Sequence, residues 1–402
     1  MVNARTGRTR SPLLVAALGA AGLGVLCACP VMPADDGDKR AVVVRYVDKL
    51  VLPALADMHT AATSLSAAAV AHAATGGVAG PTRDDARAAW LAAMTKWQRL
   101  EMMGLGPAGS PATFVGGAGL RDLIYAWPQA NPCGVDQQLV SDVFEEPGWA
   151  AARLVNILGL GSLEYVLFSE GEQNACPGSA SINRDGLWDA LSPAEVADRR
   201  ARYAAVLARE IAAQVDALSS AWNEGGFAAE LKGAGQGSSR FTSAQNALDQ
   251  IYAALFAIEL ATKDKRLGIP AGLHVDCPSD SCPQKAESRY SSTSKDNILA
   301  NLLAVRAVFI GLDAQDAEGV GFDDLLADRG ASDLASSMTT HLTAVIDQVT
   351  AFDGTLEAAL GNEPARVRAL YDALKLFTDD LKSTMPSTLG LRVPDEGAGD
   401  ND

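Results

Sequence analysis

The run Gly159-Leu160-Gly161-Ser162-Leu163-Glu164 sets one carboxylate among apolar neighbours, the arrangement in this chain best suited to chemistry. A carboxylate drawn into an apolar helix needs hydrogen-bond donors or a cation. Trp97, Trp127, Lys265, Arg266 and the hydroxyls of Ser291 and Ser294 are the candidate partners. Glu164 therefore reads either as part of a network that holds the fold or as a contact to a ligand or metal. Gly159 and Gly161, placed within a helix, each cost about 0.5–1 kcal/mol relative to alanine, so close approach of another segment is expected there. The chain has four histidines. His59 and His72 fall in helical patterns and read as surface or packing residues. His274 lies near Asp276 and Asp280 in a loop and reads as solvated, and His341 reads as exposed on a helix.

Several chemistries lack their residues. There is no His-Glu-x-x-His pair for zinc hydrolysis, no Gly-x-Ser-x-Gly elbow and no phosphate loop. Asp-rich pairs such as Asp323-Asp324 and Asp379-Asp380 lack calcium-loop spacing and read as solvated faces. Lys and Arg total 33 against 49 Asp and Glu, a net charge of −16. That balance excludes a sequence-independent nucleic-acid binder, which needs a basic face.

The elements that must position these residues are helical. Apolar residues recur at helical spacing over 42–75, with Pro53 as a kink, and over 82–102, with Thr82 as N-cap. A further helix is expected over 147–169, starting at Pro147. Ser192-Pro193-Ala194-Glu195 carries an N-cap, a proline at N1 and a capping-box glutamate, for a helix to about 222. Thr242-x-x-Gln245 opens another to about 262, and more are expected near 293–312, 332–352 and 363–382. Strand-type alternation is almost absent. The Gly/Ser-rich stretch 225–240 reads as a linker between an N-terminal bundle over 42–224 and a C-terminal bundle over 241–390, before an acidic tail over 391–402.

Residues 1–28 read as a secretory signal, with Arg5, Arg8 and Arg10 ahead of a small apolar run. The run ends at Leu26-Cys27-Ala28-Cys29, which resembles a bacterial lipobox with Cys29 as the lipidated residue. Cleavage there takes 28 residues from 402, leaving 374, and removes three arginines and no acid, so −16 becomes −19. Residues 29–41 then read as a tether to a membrane-anchored lipid. Cys133, Cys176, Cys277 and Cys282 remain, and export favours disulfides. Cys277–Cys282 with Cys133–Cys176 is the preferred pairing of the three possible.

Several segments together resemble the imelysin family of bacterial envelope proteins. They are Ala89-Trp90 with Lys96-Trp97-Gln98 and Gly106-Pro107-Ala108, then Tyr125-Ala126-Trp127-Pro128, and 159–168, GLGSLEYVLF. Lys265-Arg266-Leu267-Gly268-Ile269-Pro270, Glu287-Ser288, Ser291-x-x-Ser294 and Asn301-Leu302 follow in order. The resemblance spans about 42–395 and implies an all-α fold of two antiparallel four-helix-type bundles side by side. It also implies a periplasm-facing envelope lipoprotein linked to iron uptake through iron or another divalent metal, an iron complex or transport components; Pro30 after Cys29 adds the expectation of the outer membrane. The family's Gly-x-His-x-x-Glu motif aligns with 159–164, where Gly161 replaces the histidine and Glu164 remains. Glycine cannot coordinate a metal, so a non-catalytic protein is expected in place of a metallopeptidase, with Gly159, Gly161, Glu164, Trp97, Trp127, Lys265, Glu287, Ser291 and Ser294 as site residues. A scaffold lipoprotein without metal binding is the alternative.

Overall fold

Helix begins earlier than the tether reading expects. The structure, a computed structural model, describes residues 36–104, 106–109, 117–223, 225–312, 317 and 319–394. The signal segment, the Cys29 lipidation site and the tail from 395 lie outside the described residues. Helix α1 spans Asp36–Arg45. Its Val42 and Val43 are buried, and Arg40 donates to the carbonyls of Lys232 (3.2 Å) and Ala234 (2.7 Å). The apolar ValValVal run thus belongs to the core, and chain from Asp36 is packed helix.

Among the described residues the chain is helical, without strands. The chain continues through a wide-turn π segment, Tyr46–Val51, into α2, Leu52–Ala73. The expected disturbance at Pro53 takes this form. Proline has no N–H and its ring crowds the carbonyl four residues back, and wide i→i+5 turns relieve that conflict. Helix α3 spans Pro81–Glu101 with Gly80 as N-cap, so Thr82 lies inside the first turn and does not cap it. Pro81 at N1 sets the start.

Helix α4 is Pro132–Ser141 and α5 is Gly159–Phe168. The helix expected from Pro147 is thus shorter. Gly148 adopts φ +78° and Gly159 φ +70°, and two 3-10 turns at Ala150–Ala152 and Val155–Ile157 lie between them. Left-handed glycines break a right-handed helix, whatever the apolar content of the run. Helix α6, Pro193–Trp222, has the expected capping box: the Ser192 Oγ accepts from the Glu195 N–H, and Glu195 accepts from the Ser192 N–H.

The expected linker over 225–240 holds a short helix, Phe227–Lys232, because Phe227, Leu231 and Phe241 are buried. Trp222, Phe227 and Phe241 meet edge to face, with centroids 4.9 and 5.9 Å apart. Helix α7, Ala244–Leu255, is capped by Ser243, one residue past Thr242. A second π segment, Ile258–Gly268, replaces its expected continuation. Helices α8 (Ser294–Phe309), α9 (Ser332–Thr350) and α10 (Pro364–Lys382) follow within a few residues of expectation.

Helix α2 packs along α3 and α6, and α5 along α6 and α3. Helix α3 also packs on α8, while α10 packs on α9 and the second π segment. One buried apolar cluster therefore runs from Val42 to Leu391. The disulfides are Cys133–Cys176 and Cys277–Cys282, the preferred pairing. No helix among the described residues is long and apolar enough to cross a membrane.

Candidate functional site

Helix α5 is held in place before any site chemistry is considered. The Trp90 indole N–H of α3 donates to the Leu160 carbonyl (3.0 Å), and the Tyr203 hydroxyl of α6 donates to the Ile157 carbonyl (2.8 Å). The two glycines of the motif differ in role. An ideal Cβ on Gly159 would lie 2.6 Å from the Ile124 carbonyl oxygen, and φ is +70°. A Cβ on Gly161 would lie 3.4 Å from Ala130 Cβ and 3.6 Å from Tyr125 Cε2, at ordinary contact distances. The close approach expected at both is real at Gly159, whereas Gly161 has room for a side chain. Gly159→Ala should therefore cost about 1–3 kcal/mol, the scale of a non-glycine residue in that backbone region. Gly161→Ala should stay within about 1 kcal/mol of the parent, and urea unfolding of the two variants separates them.

Glu164 projects from α5 toward the loop that precedes α8. Its Oε1 accepts from the Tyr290 N–H (3.1 Å), the Ser291 N–H (2.9 Å) and the Ser291 hydroxyl (2.8 Å). Burial pushes its carboxyl up to about 7, and the Glu287 charge adds to that, while the bonds from Ser291 and Tyr290 oppose it. Behind the same loop, the Tyr165 ring stands 5.1 Å from that of Tyr290. The Tyr165 hydroxyl donates to Asp136 (2.8 Å), which also accepts from the Ala175 N–H (2.7 Å). Burial pushes Asp136 up to about 6.

A cavity of about 320 Å³ opens beside Glu164. Trp127, Gly161, Glu164, Lys265 and Glu287 line it, so residues from four separate segments meet at one place. Arg289 and Lys285 line it as well, and neither stands out in the sequence. Ser291 serves Glu164 as expected. Ser294 does not reach it: its Oγ accepts from the Ser288 N–H (3.0 Å) and holds the turn into α8. Trp97 is buried in the core, its indole N–H without an acceptor, and does not line the cavity.

Arg266 serves Glu101 and Glu287 and has no bond to Glu164. Its Nη2 lies 2.6 Å from Glu101 and 2.7 Å from Glu287, and its guanidinium lies 5.1 Å from the centre of the Trp127 ring. Glu287 also accepts from Gln98 (2.9 Å), the Tyr125 hydroxyl (2.8 Å) and Asn297 (3.0 Å). Asn301 donates to Gln98 Oε1 (2.8 Å). Arg121 closes the group on Glu101 at 2.7 Å. Burial raises the Glu101 carboxyl, but Arg266 and Arg121 outweigh it and leave it below the usual range. This polar layer joins α3, α8 and the second π segment. Gln98, Tyr125 and Asn301 stood in motif segments without a role, and Glu101 and Asn297 drew no notice in the sequence. The available signal was polar residues at i, i+3 and i, i+4 spacing on faces otherwise apolar.

These residues do not fit a resident metal ion. Gly161 offers no ligand, Oε1 of Glu164 already accepts three hydrogen bonds, and Glu287 is saturated by Arg266 and neutral donors. Among the described residues, no three His, Cys, Asp or Glu side chains group to hold one. None of the four histidines lines the cavity: His59 is 3.6 Å from Asp216, His274 pairs at 3.5 Å with Asp276 of the cavity rim, His72 is buried, and His341 is half-buried where exposure was expected.

The fold is shared with solved structures. A protein described as an iron-regulated protein A precursor, from Parabacteroides distasonis ATCC 8503, matches at TM-score 0.69 and 18% identity. The match covers 89% of this chain and 96% of that one. An Imelysin-like protein from Psychrobacter arcticum 273-4 matches at TM-score 0.66 and 18% identity, over 90% of this chain and 98% of its own. No curated protein gives a significant sequence match. The family model described as Imelysin matches residues 51–381, most of the chain. On that match, joined to the fold and to the motif segment at 159–164, the chain belongs to the imelysin family.

Proposed function

We propose that this protein is a non-catalytic envelope lipoprotein of iron uptake, anchored through Cys29, that binds an anionic iron chelate in the cavity beside Glu164. One observation carries the reading: the cavity wall combines Lys265, Lys285 and Arg289 with the Trp127 side chain. Of its three carboxylates, Glu287 is held by Arg266, Glu164 Oε1 by the 290–291 loop, and Asp276 lies 3.5 Å from His274 on the rim. Such a wall suits a ligand that brings its own metal-binding oxygens, because bare cations need free carboxylates or imidazoles. The iron-regulated description of one structural relative is consistent with this. Calorimetry of the purified mature protein with ferric citrate, citrate alone, ferrous ion and zinc ion is the test. Saturable binding of the chelate, weakened at least tenfold in Lys265→Glu/Arg289→Glu, is expected. Absence of binding to every iron form would overturn the reading. With a mixed peptide library and added zinc, no cleavage is expected.

A second reading, docking of a transport component, rests on the segment just before the Cys277–Cys282 disulfide. Val275 there is 90% exposed and Leu273 43%, next to Asp276 on the cavity rim. Pull-down from solubilised envelopes with the Leu273→Asp/Val275→Asp variant tests it: a band lost only in the variant supports docking.

A further inference from the structure

A second cavity, of about 480 Å³, shares no lining residue with the first. Three helical pieces form it: the turn from the first π segment into α2, the end of α3, and the end of α8. Its floor is apolar, with Leu50, Met103, Leu303 and Leu312. Its rim carries Lys49, Lys96, Arg99 and Arg306 and a single carboxylate, Asp57. Lys96 and Arg99, three apart on α3, share one face of that helix, and packing of the other two pieces brings Lys49 and Arg306 to the same rim.

Asp57 accounts for one cation, since it lies 2.6 Å from Lys96. Among the described residues no carboxylate pairs with Lys49, Arg99 or Arg306. The Arg306 Nε is shut off from solvent and meets no acceptor among the described residues. This occurs in a chain where acids outnumber bases 49 to 33, so a carboxylate neighbour would be the ordinary outcome. A half-buried guanidinium beside an apolar floor is poorly solvated and gains most from an anion that supplies its own apolar body. The volume falls in the range of about 300–1,000 Å³ typical of small-molecule pockets.

We propose that this cavity binds a small amphiphilic anion, an acyl or aryl group ending in a carboxylate or phosphate. The head group lies against Lys49, Arg99 and Arg306, and the apolar body lies on Leu50, Met103, Leu303 and Leu312. The site is independent of the cavity beside Glu164, so either can fail without the other.

The test uses the mature protein titrated with decanoate, decyl phosphate and decanol. Saturable binding of both anions is expected, with decanol at least tenfold weaker and with affinity falling as NaCl rises. Lys49→Gln/Arg99→Gln changes two exposed residues, so the helical circular dichroism and melting curve should stay as in the parent. That variant should weaken decanoate at least tenfold while ferric citrate binding is unchanged. Arg306→Gln should weaken it as well. Decanol binding as tightly as decanoate, decanoate binding equally to parent and variant, or no binding at all would each overturn the proposal. Competition by phosphatidylglycerol vesicles assigns the anion to the membrane surface, and its absence assigns it to a free amphiphile.

Discussion

Replacing Arg266 with alanine is expected to lower the unfolding free energy by about 3–5 kcal/mol, the cost of leaving buried carboxylates without their cation. The guanidinium is wholly buried and touches two carboxylates, Glu101 at 2.6 Å and Glu287 at 2.7 Å. Their fates differ once it is removed. Glu101 keeps Arg121 at 2.7 Å. Glu287 keeps only neutral donors from Gln98, Tyr125 and Asn297, so it becomes the charge without a counter-ion. Lost packing against Trp127 adds to the cost. Removing the unpaired charge as well should restore part of the loss: Arg266→Met with Glu287→Gln leaves Glu101 on Arg121 and a neutral amide whose oxygen accepts from Gln98 and Tyr125. Urea unfolding at pH 7 with both disulfides intact measures each variant. A loss below about 1 kcal/mol for Arg266→Ala would mean that the layer tolerates an unpaired charge and that Arg266 is not its essential counter-ion.

Glu164→Gln is expected to stabilise the protein at pH 8 and to do little at pH 5. The Glu164 carboxyl is raised from 4.5 to about 7 in the fold. The folded chain therefore holds this proton over a window in which the unfolded chain has lost it. Stability falls as pH climbs from about 4.5 through 7 and is flat above, a difference of about 3 kcal/mol by linkage. Glutamine keeps an oxygen for the three donors from Tyr290 and Ser291 and carries no charge to bury. The Asp136 carboxyl, raised to about 6, contributes a similar slope in both proteins and drops out of the comparison. Unfolding curves of parent and variant at pH 5 and pH 8 give the answer. An equal difference at both pH values would show that Glu164 does not titrate near neutrality.

The legible part of the site and the hidden part follow different physics. Glu164 stood out because a charge in an apolar run is costly, and its neighbours Trp127, Lys265 and Glu287 came from motifs whose order matched a family. Ser291 met its expected partner, but Ser294 went to a backbone N–H 3.0 Å away instead. Two hydroxyls three residues apart look equivalent on paper, and the turn between them decides which one faces the carboxylate. The Arg266 layer stayed hidden because Glu101 and Asn297 look like ordinary helix-surface residues, and nothing joins them to Gln98 and Asn301 of the motif segments until α3 and α8 pack face to face. The basic cavity stayed hidden for the same reason: Lys49, Lys96, Arg99 and Arg306 come from three helices.

Sequence alone determined what depends on neighbours a few residues away. The helical class and the capping box at Ser192–Glu195 are of that kind, because propensity and capping act within a turn; the cysteines alone left three pairings open, and Gly161 took its meaning from the family motif. Tertiary structure decided what depends on distance across the fold. It alone separated Gly159, pressed on the Ile124 carbonyl, from Gly161, which has space. It placed Arg266 between two carboxylates that lie 165 and 21 residues away in sequence, Glu101 and Glu287. It also set the protonation of Glu164, because burial is a property of the packed chain and no spacing rule encodes it.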